Sequence, residues 1–307
     1  MEFRFSVLGS GSSGNATLVE TSQTHLLIDV GFSGEELERR LGHVGVSWSQ
    51  ITHVCLTHCH ADHVRASALH LCRKTKVPVF CHSSHEETLF RKSRNIETLK
   101  REGLLIHFDP GPFHVGDLLV KPLEVSHDDV GNTFGFVLTT CNVDRSVKAS
   151  MVTDLGFAPN ALAGELANSD ILAIEHNHDP ELLWQSRRPG VLKKRIRSHQ
   201  GHLSNLQAAQ LLMKTMKMSI QTFPKHVFLM HMSQECNETE LALTEIEETL
   251  REIPCHPAYH VTSQDVPISV VLSEEDPESS RIATCPRVKE MGAERSPRNA
   301  SILGTAR

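Results

Sequence analysis

The chain has 307 residues, is 39% hydrophobic and carries a net charge of −6, which excludes disorder throughout and favours a single domain of roughly 200 to 270 residues. No apolar run approaches the roughly 20 residues of a membrane span, and the start MEFRFSVLGSGSSGN lacks the basic-then-apolar order of a secretory signal; a cytoplasmic protein that does not enter membranes is expected. The acidic balance argues against a globally basic nucleic-acid binder but leaves room for a local patch.

In chain order, Arg4–Leu8, Ala16–Glu20 and Leu26–Asp29 read as strands, with the Gly/Ser-rich GSGSSGN turning the chain between the first two. A helix is expected at Glu35–Leu41, where Leu37 and Leu41 stand one turn apart. A buried strand at His53–Thr57 and a helix near Ala66–Lys74 follow. Between 104 and 152 the segments LLIHF, LLVKPLEV, TFGFVLTT and VKASMVT read as strands, as do Ile171–Glu175 and His226–Met230, which helical stretches separate. Ser204 with Gln207 is a capping-box signature for a helix from Asn205, and Asn237 with Glu240 has the same form. Strand blocks interleaved with helices predict an α/β layered fold of two sheets covered by helices across 1–272. From residue 273 to 307 no apolar period is sustained, and a disordered or weakly attached tail is expected.

Histidine is the unusual count: 20, beside one Tyr and two Trp. The eight cysteines form no C-x-x-C pair and are expected to be reduced, largely buried thiols. The strongest chemical signal is Thr57-His58-Cys59-His60-Ala61-Asp62-His63, an H-x-H-x-D-H cluster directly after an apolar strand. Imidazole and carboxylate suit Zn²⁺, Mn²⁺ or Fe. Four donors this close exceed what one catalytic ion with an open position needs, so two ions are implied. Side-chain alternation turns Cys59 away from the donors.

On these residues the chain resembles the metallo-β-lactamase superfamily, over about 1–272. The resemblance implies a four-layer αββα sandwich of two mixed sheets flanked by helices. Matched by position, His127 in SHDDVG, Asp154 in VTDLG and His231 in FLMHMS complete a seven-ligand set, each after an apolar β-run. His58, His60 and His127 would hold one divalent ion (Zn²⁺ or Mn²⁺), and Asp62, His63 and His231 the other. Asp154 and a nucleophilic hydroxide would lie between them. Asp29 in LLIDVG resembles the aspartate that orients the metal loop, with a turn cap as the alternative.

Further segments, FSVLGSGSSGN, LIDVGFSG, TDLG, the run Glu175, Asn177, His178, Asp179, GHLSN and HMSQECN, resemble the YycJ/WalJ family of nuclease-like hydrolases. Ribonuclease Z and a phosphonate-pathway phosphodiesterase are more distant. This implies phosphodiester hydrolysis, with nucleic acid and specifically DNA ends as substrate and a 5′-to-3′ exonuclease as the expected activity. Catalytic roles would fall to Asp62 and to a Glu175–His202 pair that protonates the leaving oxygen. Met232 and Cys236 depart from the family's pattern in the last of these segments. An ester or thioester hydrolase of the glyoxalase II type, a ribonuclease, a small phosphodiesterase and a non-enzymatic regulator remain the alternatives.

A basic run, Arg187, Arg188, Lys193, Lys194, Arg195 and Arg197, has no acidic residue between 185 and 200, so the rest of the chain carries −12. It is expected to contact phosphate, the alternative being a solvated helix face. Ser12, Ser13, Asn15, Asn177, Lys193, Lys194, Arg195, Ser204 and Asn205 are the expected substrate contacts. The oligomeric state is not readable from the sequence.

Overall fold

The structure, a computed structural model, describes residues 2–141 and 146–273; the expected tail lies outside them except for Ser273. In chain order the elements are β1 (Glu2–Gly9), β2 (Ala16–Glu20), β3 (His25–Ile28), α1 (Gly34–His43), β4 (His53–Cys55), α2 (Ala66–Thr75), β5 (Val79–His82), α3 (Glu86–Lys92), α4 (Asn95–Arg101), β6 (Leu105–Phe108), β7 (Phe113–Val115) and β8 (Leu118–Val125). There follow β9 (Thr133–Thr140), β10 (Lys148–Val152), α5 (Asn160–Leu166), β11 (Ile171–Glu175), α6 (Pro180–Gln185), α7 (Gly190–Ile196), α8 (Asn205–Met218), β12 (His226–Met230), α9 (Thr239–Thr249), β13 (Ala258–Val261) and β14 (Ile268–Ser273).

They form two seven-stranded sheets, ordered β14-β1-β2-β3-β4-β5-β6 and β13-β12-β11-β10-β9-β8-β7. In the first, β14 and β1 to β3 are antiparallel and β3 to β6 parallel. In the second, β7 to β10 are antiparallel and β10 to β13 parallel. Both sheets are therefore mixed, as expected.

Side-chain alternation builds the layers. Phe3, Phe5 and Val7 of β1 share an apolar cluster with Phe228 and Met230 of β12, the Phe5 and Phe228 rings lying 5.1 Å apart. The other faces of the same strands point outward. Leu8, Leu18 and Leu27 pack under Leu37 and Leu41 of α1 and Leu69 of α2, while Val227 and Leu229 pack under α5 and α8. Three apolar layers separate four layers of structure, the αββα sandwich. Each fully buried Phe or Leu contributes roughly 1.5–3 kcal/mol, so the strand ends that carry the site stand on a rigid base.

Several expectations need correcting. The strand expected to reach Asp29 ends at Ile28, because Asp29 turns into the left-handed region at φ +64° and breaks the extended backbone, and the strand expected to reach Thr57 ends at Cys55. Asn237 does not cap α9, whose N-cap is Glu238 without a side-chain bond; its amide instead exchanges hydrogen bonds with Asn205 and donates to the His176 carbonyl. The capping box at Ser204 and Gln207 does form. Cys55, Cys59, Cys72, Cys81 and Cys236 are buried thiols. Among the described residues no helix is long and apolar enough to cross a membrane.

Candidate metal centre and active site

The carboxyl ends of β4, β10, β11 and β12 converge at one edge of the sandwich, where the loop 57–63 meets Asp154, Glu175 and His231. Asp29 organises that loop. Its Oδ1 accepts from the Thr57 backbone N–H at 2.8 Å, and its Oδ2 accepts from the Thr57 hydroxyl at 2.8 Å and from His63 Nδ1 at 2.7 Å. Since the Thr57 hydroxyl donates to Asp29, it accepts from His58 Nδ1 at 2.9 Å. Both imidazoles are thereby left with Nε2 facing the site, the arrangement that carboxylate- or hydroxyl-backed ligands take.

The loop closes by backbone contact. A Cβ on Gly31 would stand 1.8 Å from the Asp62 carbonyl, so only glycine lets the chain after Asp29 lie against the metal loop. The Cys59 thiol turns into the apolar layer under α2, with Sγ 3.8 Å from the His85 carbonyl.

His127, Asp154 and His231 arrive singly. His127 Nδ1 lies 3.1 Å from the Gly201 carbonyl, to which it donates, and its Nε2 stands 3.2 Å from His60 Nδ1. Asp154 and His231 adopt left-handed backbone at φ +58° and +53°, a conformation that L-residues hold only where the surroundings impose it. Asn177 imposes it on His231 in part, donating to the His231 carbonyl at 2.9 Å.

The donor atoms fall into overlapping groups, each within 4.8 Å: His58, His60 and His127; Asp62, His63 and His231; and Asp154 with His58 and His63. Asp154 also groups with Glu175, His202 and His231, so it lies between the two triads. The fit to cations is direct. His58 Nε2 is buried with no hydrogen-bond partner, an arrangement costly for a polar atom unless an ion is its partner. His63 Nε2 lies 3.1 Å from Asp154 Oδ2 and His231 Nε2 lies 3.3 Å from Asp62 Oδ2.

Electrostatics point the same way. Burial alone would discharge the imidazoles, yet Asp154, Asp29 and Asp62 raise His63 well above the ordinary histidine range, and Asp154, Asp62 and Glu175 raise His231 to about 10. Asp62 is held at about 2, against its burial, by His63 and His231. His58 is pushed well below its ordinary value by burial and then by the charge of His63. Clustered carboxylates thus draw positive charge into the pocket, as protons when no cation is bound.

Beside this cluster, Glu175 Oε1 accepts from His202 Nδ1 at 2.7 Å, while Oε2 accepts from the backbone N–H of Leu203 at 3.1 Å and Leu155 at 3.2 Å. Glu175 is fully buried and held at about 2, against burial, chiefly by His202. The side chain of His202 is 19% exposed and lines a cavity of about 100 Å³ together with Ser12, Asn177, Arg188, Arg195 and Ser233.

Of the expected substrate contacts, Ser12, Asn177 and Arg195 line this cavity and the others do not. Asn15 is buried, its amide nitrogen 3.0 Å from His63 Nε2 and 3.3 Å from Asp62 Oδ2, so it braces the metal loop. The Ser204 hydroxyl caps α8 and the Asn205 amide faces Asn237. Ser13 holds Gln264 through its backbone N–H, Lys193 donates to the Trp184 carbonyl, and Lys194 is exposed outside the cavity. The basic run is also less free than its sequence suggests: Arg195 pairs with Asp128, and Arg188 with Glu235 at 2.9 Å. Those acids lie far away in sequence, and so does Ser233, which lines the cavity without being among the expected contacts.

A model of the metallo-β-lactamase superfamily matches residues 9–144. The chain is 31% identical over 253 residues to exodeoxyribonuclease YycJ of Bacillus anthracis, covering 82% of this chain and 90% of that protein. It is 32% identical over 249 residues to exodeoxyribonuclease WalJ of Streptococcus pneumoniae, covering 78% and 85%. Among solved structures, the metallo-β-lactamase fold protein YhfI of Bacillus subtilis superposes with a TM-score of 0.60 at 14% identity, over 88% of this chain and 100% of that one. With the αββα sandwich and the His/Asp cluster at its edge, these likenesses establish that the chain belongs to the metallo-β-lactamase superfamily and, within it, to the YycJ/WalJ family of metal-dependent hydrolases.

Proposed function

We propose that this protein is a cytoplasmic exodeoxyribonuclease that hydrolyses phosphodiester bonds at DNA ends in the 5′-to-3′ direction, within one domain spanning 1–272. The observation that carries the reading is the Glu175–His202 pair, 2.7 Å apart, with the imidazole opening onto a cavity that holds Arg188 and Arg195. The names of the YycJ and WalJ relatives support the same substrate.

His58, His60 and His127 would hold one divalent ion, Zn²⁺ or Mn²⁺, and Asp62, His63 and His231 a second, with Asp154 between them. When bound, such ions supply a hydroxide nucleophile near neutral pH and neutralise charge on a phosphate. The protein's own groups do the rest. Asp29 and Asn15 fix the ligand loop, and Arg188 and Arg195 draw in the phosphate backbone.

The departing oxygen of a phosphodiester is a poor leaving group and needs a proton. Glu175 accepts from His202 Nδ1 and so fixes the ring, leaving Nε2 as the nitrogen that would hand that proton to the departing oxygen. A thioester leaves without such help, which is why the pair favours phosphodiesters over the glyoxalase-type reaction.

The test is His202→Ala with its metal content measured. Unchanged occupancy with kcat reduced by about 10² to 10⁴-fold is expected; unchanged occupancy with full turnover removes the assignment.

A further inference from the structure

Resting on the nuclease reading above, we infer that Phe157 and His199 form a stacking platform for a nucleobase next to the scissile phosphate. A second groove, of about 520 Å³, is lined by His127 and Gln200, the chain neighbours of Asp128 and Gly201 in the basic cavity. Phe157, His127, Gln200, Asn132, Thr133 and Leu162 are among its walls. Its size lies in the range that encloses small organic ligands. His127 contributes to the wall, so whatever fills the groove lies within reach of the metal donors.

A single exposed phenylalanine is ordinary; the placing of Phe157 is not. Phe157 is 46% exposed although its ring stacks on His199, with ring centroids 5.1 Å apart and planes inclined by 24°. Stacked aromatic and imidazole rings with a free face bind bases of any identity, since every base offers a π-face.

The platform also shares its frame with the reacting groups. Phe157 lies three residues after Asp154 and His199 three residues before His202. A Cβ on Gly156 would stand 2.2 Å from the Ser198 carbonyl and 2.5 Å from the Gly201 N–H, so the two loops touch backbone to backbone. Gly201 in turn accepts from His127. A base held on Phe157 is thereby registered against Asp154, His127 and His202 together. The small basic cavity would take phosphate and the larger groove a base, which a DNA strand offers at adjacent positions.

The experiment compares wild type, Phe157→Ala and Phe157→Trp on 5′-phosphorylated DNA, with or without abasic residues on both sides of the terminal linkage. On intact DNA, Phe157→Ala should raise KM about tenfold with kcat nearly unchanged, and Phe157→Trp should restore the wild-type KM. On abasic DNA all three should be alike. An unchanged KM on intact DNA, or an equal loss on both substrates, overturns the platform.

Binding of an oligonucleotide carrying 2-aminopurine at those positions separates this inference from the nuclease reading. Stacking quenches the fluorophore, so wild type should quench it and Phe157→Ala should not. If wild type quenches but releases no nucleotide from any DNA, the nuclease reading fails and the platform stands. No quenching by wild type overturns the platform whatever the enzyme hydrolyses.

Discussion

The first sheet delivers His58, His60, Asp62 and His63 from one loop of six residues, whereas the second delivers His127, Asp154 and His231 one at a time from the ends of β8, β10 and β12. The loop is held chiefly by the buried carboxylate of Asp29, with three hydrogen bonds, and further by Asn15 and by Asp129, which accepts from the Cys59 backbone N–H at 2.7 Å. The strand-end residues are held by backbone: two of the three have left-handed φ, and His127 is fixed by the Gly201 carbonyl. The loop therefore supplies a pre-set cluster of donors. The strand ends decide how that cluster is completed and what chemistry it meets, because Glu175 and His202 stand on their side only.

The largest effect should follow removal of the residue where the two regions meet. Asp154→Ala should lose bound metal and nuclease activity together, as read by metal analysis beside an end-labelled DNA assay; activity surviving without metal would break the comparison. His202→Ala, by contrast, should separate the regions, keeping the metal and losing turnover. Asp29→Asn acts only through the loop: it should weaken metal affinity by about 10- to 100-fold, measured by competition with a chelating dye, and saturating metal should restore turnover.

Smaller effects are expected at the rim. Arg188→Ala should raise KM for DNA a few-fold and reduce the salt dependence of binding by about one counterion, leaving metal content unaltered. The smallest concerns pH. His231 in the cation-free folded protein is raised from 6.5 to about 10, so its contribution to stability is fully present below pH 6.5 and is lost as pH rises through 10. Thermal melts of the apoprotein should fall across that window, and bound metal, which already excludes the proton, should flatten the fall.

The same contrast explains what the sequence disclosed. The loop hexad is legible because its spacing is local, and the apolar runs before His127, Asp154 and His231 marked strand ends. The short α3, α4 and three-residue β7 have too few residues for a period to show. Asn237 carried a capping signature that failed, since Asn205 and His176 took its amide. Asn15 looked like a loop donor for substrate, but folding brings it against His63. Asp128 and Glu235, which pair with the basic run, and Phe157, which meets His199, are joined only by tertiary structure.

The most direct test of the account is nucleotide release from a 5′-phosphorylated duplex by purified protein loaded with Mn²⁺ or Zn²⁺, run beside a thioester substrate. Release of mononucleotides from the DNA with no thioester hydrolysis is the predicted result. Thioester hydrolysis with the DNA left intact would contradict it.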